Sequence, residues 1–497
     1  MQSDLKRADL RQADLRQADQ DGGPEDWAPR LDGRDKPAYL AIADAIADDL
    51  RDGRLTPGQR LPPQRALAAR IGLDFTTVSR AYGEARRRGL VDARVGQGTF
   101  VRAPAADAAA SPSPASPSRR TATGIRFVDM TMNQPPVPDR PDLLDRLRRD
   151  AAEAVAELDA HSLLRYPDSV GAESGAGDRA AGRLWLRDRL PGVTGERLAV
   201  CPGTQGALLA LLTLLARPGD TVCAEALTYP GFRAVARQLG LSVVGAPMDR
   251  DGLDPDALRA VFEQHRPKLL YCMPTLHNPT TATMPLERRE AVIAAAREFG
   301  VCIVEDDIYG PLVTDAPPPL AALAPDLVFH IGGLAKCLSP ALRLAYVAAP
   351  DARQAMRVTG ALRATTLMAS PVTCAIANRW ITGGTAAALL DAVREEAVGR
   401  QRLAASLLPP ESVAAHPEGF HIWLKLPPGW TRGEFATHLR TRGIAAVVGD
   451  TFALREPVPE ALRLCLGAAA DRAEARWVLS VVADALEQSP ALAGVII

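Results

Sequence analysis

Lysine is nearly missing from this chain of 497 residues. Lys6, Lys36, Lys268, Lys336 and Lys425 are the only five among 58 basic residues, so the other 53 are arginine. Arginine does not serve as an amine nucleophile, so any amine chemistry falls to one of those five. Long apolar runs are absent too: none reaches the roughly 18 residues that a membrane helix requires. The N-terminus carries charge in place of an apolar segment, so no secretory signal is expected and the cytoplasm is the default compartment. The seven cysteines are widely spaced, and no two have metal-ligand spacing. They sit mostly among apolar residues, which implies buried, reduced thiols and no metal centre. A net charge of −1 does not advertise a polyanionic partner for the whole chain, so charge is read by region.

What is present divides into four stretches. Residues 1–32 are polar, with Ala-Asp-Leu-Arg-Gln twice in succession at 8–12 and 13–17. Two units are too few to stack as a solenoid, so a polar tail is expected. Residues 33–102 have the pattern of a small helical module. Residues 103–118 hold only Ala, Pro and Ser apart from Asp107, a composition that cannot bury a core. This predicts a linker over 103–124. From 125 to 497, apolar runs such as Lys268–Met273, Val301–Glu305, Leu327–Ile331 and Leu344–Ala348 alternate with amphipathic segments such as Pro285–Phe299. That is the rhythm of an α/β fold with a parallel-rich sheet. Alternating strands near Phe420–Leu426 and Leu462–Leu466 suggest a smaller α+β subdomain at the C-terminal end.

Within the small module, Ile42, Ile46 and Leu50 fall at helical spacing. Thr56-Pro57-Gly58 reads as a turn, Gln64–Ile71 as a second helix, and Asp74 as the cap of a third. Two short strands follow around Gly96-Gln97-Gly98. Residues 60–102 carry nine arginines against Asp74, Glu84 and Asp92, a local excess of six positive charges. Such an excess is the footprint of phosphate binding, and the helix-turn-helix order would place the third helix in a major groove.

The segments Leu55-Thr56-Pro57-Gly58, Leu61-Pro62-Pro63-Gln64-Arg65-Ala66-Leu67-Ala68, Thr77-Val78-Ser79-Arg80-Ala81-Tyr82, Gly89-Leu90 and Gly96-Gln97-Gly98-Thr99-Phe100-Val101 resemble the GntR-type winged helix. The resemblance implies that Arg65, Thr76, Thr77 and Arg80 meet operator DNA, with Gly98 at the wing. Many relatives have Arg where this chain has Phe75.

Four segments of the large region bear on chemistry. Pro202-Gly203-Thr204-Gln205-Gly206 precedes an apolar helix, where free N–H groups can cradle an anion. Alone, it reads equally as an ordinary strand-to-helix turn. Glu305-Asp306-Asp307-Ile308-Tyr309 follows an apolar strand, where ligands of open sheets sit. A carboxylate there can pair with a pyridinium nitrogen, though acids at strand ends are also common. Lys336 lies just after another strand, with Arg343 seven residues on; a buried lysine can form a Schiff base. His277-Asn278-Pro279-Thr280 follows the strand Lys268–Met273.

Together these resemble the fold type I aminotransferases, and with the winged helix and linker the chain resembles the MocR subfamily of GntR regulators. The resemblance implies a pyridoxal phosphate (PLP)-dependent transcription regulator. Lys336 would hold the cofactor, Asp306 would pair with its ring nitrogen, and Asn278 and Tyr309 would serve the ring oxygen. Tyr229 would stack on the ring. Thr204, Gln205 and Arg343 would hold the phosphate, with Tyr166 reaching the partner's phosphate in a homodimer. Arg463 would bind the carboxylate of a small amino-compound effector. The alternative is a working aminotransferase with an accessory DNA-binding domain; slow or partial transamination at most is expected. Relatives usually show Ser-x-Ser-Lys where this chain has Gly333-Leu334-Ala335-Lys336, so two hydroxyls are missing.

Overall fold

Apolar residues four apart wind Ala38–Arg51 into helix α1, which turns Ile42 and Ile46 fully inward. Helix α2 (Gln64–Ile71) stops at Gly72, whose φ of 67° is the left-handed conformation glycine reaches without strain. Helix α3 (Phe75–Arg87) starts at once, because the Asp74 carboxylate accepts from the Thr76 backbone N–H at 2.7 Å. Strands β1 (Val91–Arg94) and β2 (Gly98–Val101) then pair antiparallel, with Val91 opposite Val101. The chain at 58–61 pairs with β2 on its other side, through Leu61 N–H to Thr99 carbonyl and Val101 N–H to Gln59 carbonyl, both 2.8 Å. Leu55, Leu67, Val78 and Tyr82 fill the centre, and the Tyr82 hydroxyl donates to the Pro62 carbonyl at 2.8 Å.

The computed structural model describes residues 27–29, 37–56, 58–88, 90–94, 98–101, 119–120, 126–166 and 175–488. Pro57, Gly89, Gly96, Gln97 and Arg102, most of the expected tail, residues 103–118 and 121–124 of the expected linker, and Ile125 lie outside that set. The chain divides into two compact units, residues 1–113 and 114–497. Two details depart from the sequence expectation. Trp27, inside the stretch read as a polar tail, is buried in the core of the N-terminal unit, and its indole N–H donates to Asp49 at 2.8 Å. A single aromatic among polar residues has no period to reveal it. Arg119–Arg120, expected in the linker, forms a short strand antiparallel to Arg126–Asp129. Two residues are too few to show strand alternation.

The larger unit is built on seven strands: β3 (Leu198–Cys201), β4 (Thr221–Glu225), β5 (Ser242–Ala246), β6 (Leu269–Cys272), β7 (Cys302–Asp306), β8 (Val328–Gly333) and β9 (Ala345–Ala348). Their order is β3-β9-β8-β7-β6-β4-β5. All neighbours are parallel except β9, which runs against both β8 and β3. Strands β6 and β8 are buried at every position, as expected where helices cover both faces. A second core lies under a four-stranded antiparallel sheet of β10 (Val413–Ala415), β11 (His421–Lys425), β12 (Val447–Val448) and β13 (Ala461–Cys465), ordered β10-β11-β13-β12. The strand Arg126–Asp129 joins this part by parallel pairing with Ile444–Ala445. No described helix is long and apolar enough to cross a membrane.

Candidate functional site

Parallel strands all point their carboxyl ends one way, so the residues that follow β6, β7 and β8 meet along one edge. Strand alternation sorts the acids at the end of β7. Glu305 and Asp307 turn to one side. Glu305 accepts from the Leu320 and Ala321 N–H groups at 2.8 and 2.9 Å, which caps a short helix. Asp307 receives both prongs of Arg189, at 2.8 and 3.1 Å, and lies 3.2 Å from His330. Burial acts to raise the Asp307 pKa, yet Arg189 and His330 hold it well below the carboxylate range.

Asp306 faces the other way. Oδ2 accepts the Tyr271 hydroxyl at 2.9 Å, and Oδ1 is buried without a partner. Burial pushes its pKa up to about 6, although the Tyr271 bond pulls it down. Tyr271 is fully buried and stacks flat on Phe232, with ring centroids 4.1 Å apart and planes at 5°.

Lys336 is half-buried just past β8. Its ammonium donates to the Asn133 carbonyl, and burial lowers its pKa. The Asn133 side-chain amide donates to the Tyr309 hydroxyl at 2.7 Å. Tyr309 therefore keeps its own proton free to donate. The same amide lies 3.3 Å from His421 Nδ1, while His421 Nε2 reaches the His277 carbonyl at 3.2 Å. Burial pushes the His421 pKa down to about 3, so this ring is neutral, with Nδ1 accepting and Nε2 donating.

Arg463 lies on β13, an interior strand, and is buried. One terminal nitrogen donates to Asn278 Oδ1 at 2.9 Å, and the other donates to the Thr131 carbonyl. This fixes the Asn278 amide with its NH2 group directed away from Arg463. Arg463 Nε is buried without a partner, and the guanidinium carbon stands 5.2 Å from the centre of the Phe452 ring.

Helix α4 (Gly203–Leu215) opens beside these groups. Thr204 Oγ1 is buried without a partner. A Cβ added at Gly333 would lie 2.6 Å from that oxygen, so residue 333 has no room for a serine while Thr204 stands there. Gln205 donates to the Tyr229 hydroxyl at 2.8 Å, which leaves its backbone N–H at the helix start. Arg343 is exposed and has no ion pair among the described residues; its Cζ lies 3.6 Å from where a Gly203 Cβ would be. Tyr166 stands outside this cluster and is 70% exposed.

The sequence-derived residues Lys336, Asp306, Tyr309, Asn278, Thr204, Gln205, Tyr229 and Arg343 thus line the strand ends and the adjoining helix start, and Arg463 reaches Asn278 from β13. Sequence reasoning missed Tyr271, Asn133 and His421. Unpartnered Asp306 Oδ1, Thr204 Oγ1 and Arg463 Nε each carry a desolvation cost of about 1–3 kcal/mol. A ring cation, a phosphate and a carboxylate would satisfy them, and PLP with an amino carboxylate brings these three, so the residues fit that cofactor.

In the N-terminal unit, Arg65 is exposed and its guanidinium carbon is 5.7 Å from the Phe75 ring centre. Arg80 is exposed and stands 4.4 Å over Tyr39. The Thr76 hydroxyl is tied to Asp74, Thr77 is half-buried, and Gly98 starts β2 in the open.

Residues 125–482 match the family "Aminotransferase class I and II", and residues 38–101 match "Bacterial regulatory proteins, gntR family". The chain is 30% identical over 446 residues to the uncharacterized HTH-type transcriptional regulator YdeF of Bacillus subtilis strain 168, covering 88% of this chain and 91% of that protein. It is 32% identical over 351 residues to the HTH-type transcriptional regulator TauR of Rhodobacter capsulatus, covering 66% and 70%. The crystal structure of LysN, an alpha-aminoadipate aminotransferase from Thermus thermophilus, superposes with a TM-score of 0.64 at 25% identity, over 73% of this chain and 92% of that one.

Proposed function

The chain belongs to the MocR subfamily of GntR-type regulators, a DNA-binding domain fused to a class I and II aminotransferase domain, and on that premise we propose how its site senses a ligand. It is a PLP-dependent, DNA-binding transcriptional regulator. We propose that Lys336 holds the cofactor through its amine. Bound PLP offers an electrophilic carbon and an electron sink to a primary amine. Lowered proton affinity at Lys336 leaves more of its amine free to attack. Asp306, ionised above about pH 6, holds a proton on the ring nitrogen. Asn278 and Tyr309 each have a proton to donate to the ring oxygen. Tyr229 covers the ring, held by Gln205. The start of α4, Thr204 and Arg343 bind phosphate, with Tyr166 serving the phosphate of a second copy in a homodimer.

The effector is an amino carboxylate, and one observation carries this reading. The carbonyls of Thr131 and Asn133, two residues apart, hold Arg463 and Lys336. A ligand with a carboxylate and an amine addresses the same two residues: its carboxylate would accept from Arg463, and its amine would compete with Lys336 for the cofactor that lysine would hold. Its carboxylate would displace the Thr131 carbonyl and so release the chain that follows the strand Arg126–Asp129. We assign residues 33–102 to DNA binding, 103–124 to the linker and 125–497 to sensing. The linker sets the reach between two operator half-sites.

The test is the visible spectrum of the purified protein, before and after borohydride reduction, followed by titration with amino compounds. A reducible adduct should form in the wild type and vanish in Lys336→Ala. Amino carboxylates should shift the wild-type spectrum and act much more weakly on Arg463→Ala. An adduct on another lysine overturns the assignment of Lys336, and equal responses remove Arg463 from the site. Slow or partial transamination is compatible with this reading, because Lys336 and Asp306 are both in place. Turnover at ordinary enzyme rates would favour an aminotransferase with an accessory DNA-binding domain.

A further inference from the structure

Phe75 is the first residue of α3, the second helix of the helix-turn-helix, and it is 43% exposed. Among the described residues of the N-terminal unit, no other large apolar side chain is exposed. Its spacing aligns it with Val78 and Tyr82, which are buried. The ring therefore continues the apolar stripe beyond the end of the core, where the fold has no use for it.

Its surroundings are polar and basic. Arg65 sits over the ring at 5.7 Å; exposed Arg80, five residues on, stands over Tyr39 on a different side of the helix. Asp74 is committed to the helix cap and to the Thr76 hydroxyl. Of the first three side chains of α3, Phe75 and Thr76 are exposed, with the Thr76 hydroxyl bonded to Asp74, and Thr77 is half-buried. The first residues of a recognition helix are those that meet base edges in the major groove. A phenyl ring forms no hydrogen bond with a base edge. The groove offers one apolar group it can cover, the 5-methyl of thymine. Arg65 beside it, with the other exposed arginines of this unit, matches the phosphate backbone in charge, which favours DNA over an apolar protein partner.

We propose that Phe75 is a base-reading residue that packs on the 5-methyl group of a thymine in each operator half-site, while Arg65, held over the ring, supplies charge to the neighbouring phosphate. The proposal rests on the DNA-binding role of this unit and adds the base that it selects. An arginine at this position would favour guanine through its O6 and N7 acceptors, so the aromatic ring changes the sequence that is read.

The experiment uses the full chain loaded with PLP and a pool of duplexes with a randomised core. Wild type should enrich a thymine at one position per half-site, Phe75→Leu should keep that preference, and Phe75→Ala should lose it. Replacing the selected thymine by deoxyuridine removes only the methyl group. This should weaken wild-type binding about three- to fivefold per half-site, the contribution of one buried methyl, and leave Phe75→Ala unaffected. Phe75→Arg should shift the preference to guanine. The proposal is overturned if deoxyuridine is tolerated at every position, or if Phe75→Ala keeps the same methyl dependence; the ring would then serve a protein contact. Wild-type binding without any base preference also overturns it, while leaving the DNA-binding role intact. Failure to bind any duplex, even at low salt, would instead remove that role and the proposal with it.

Discussion

The two sides of strand β7 carry the same chemistry to opposite ends. On one side, Glu305 and Asp307 are buried acids whose oxygens are taken up by backbone N–H groups, Arg189 and His330. On the other, Asp306 is equally buried but keeps one oxygen without a partner. Full satisfaction locks a scaffold. A single open oxygen, next to a tyrosine that fixes the other, is an acceptor prepared for something the chain does not itself contain. Adjacent residues thus differ in role because strand geometry sends them into different surroundings.

Breaking the satisfied side should have the largest effect. Arg189→Ala leaves the Asp307 carboxylate buried with His330 as its remaining partner, and should cost about 3–5 kcal/mol, read from the urea midpoint. The contribution of Asp307 is full above its unfolded pKa and is lost as pH falls toward its depressed folded value, so the wild-type advantage should shrink in acid. A neutral effect of Arg189→Ala would mean that Arg189 does not hold the Asp307 carboxylate in place.

Without cofactor, Asp306→Asn should stabilise in the same measurement above about pH 6, and it should be severe in cofactor retention. Asp306 binds its proton more tightly folded than unfolded, so without cofactor it lowers stability as pH rises from about 4 to about 6. The variant escapes that penalty, and its stability relative to wild type should improve across this window. With cofactor the sign reverses, because only ionised Asp306 pairs with a ring cation. Dialysis followed by absorbance should show wild-type retention falling below about pH 6, and no such inflection in Asp306→Asn.

Tyr271→Phe sharpens the contrast at smaller cost, about 1 kcal/mol for one hydrogen bond. Since the hydroxyl lowers the Asp306 pKa, its removal should move the retention inflection to higher pH. A purely packing role for Tyr271 would leave the inflection where it was.

The elements of the DNA-binding unit were legible because local signals set them: four-residue apolar spacing in α1, Gly72 and Asp74 between α2 and α3. Lys336, Asp306 and Asn278 were legible because chemistry at the ends of parallel strands stands out against apolar runs. Tyr271 was not, since inside Leu269–Cys272 it reads as core, and its hydroxyl finds Asp306 only once β6 lies beside β7. Asn133 sits in irregular chain with no period, and its contacts with Tyr309 and Lys336 span 176 and 203 residues of sequence. The missing hydroxyl at Gly333 was visible as a departure from relatives. Its physical reason, the Thr204 oxygen in that space, needed the fold.

From residue 37 to 102 every basic side chain of the winged helix is arginine; Lys36, just before its first helix, is the one lysine of the 33–102 span. The cofactor is an aldehyde, and aldehydes condense with any accessible amine. In the large unit Lys268 and Lys425 are exposed and open to such adventitious modification. Guanidinium groups do not enter that reaction, nor are they neutralised by lysine acetylation. The arginines that meet DNA are therefore chemically deaf to the very compound the companion domain binds. On the role proposed for Lys336, a rise in free cofactor would reach the operator through that lysine, and not by tarnishing the arginines that grip the phosphates.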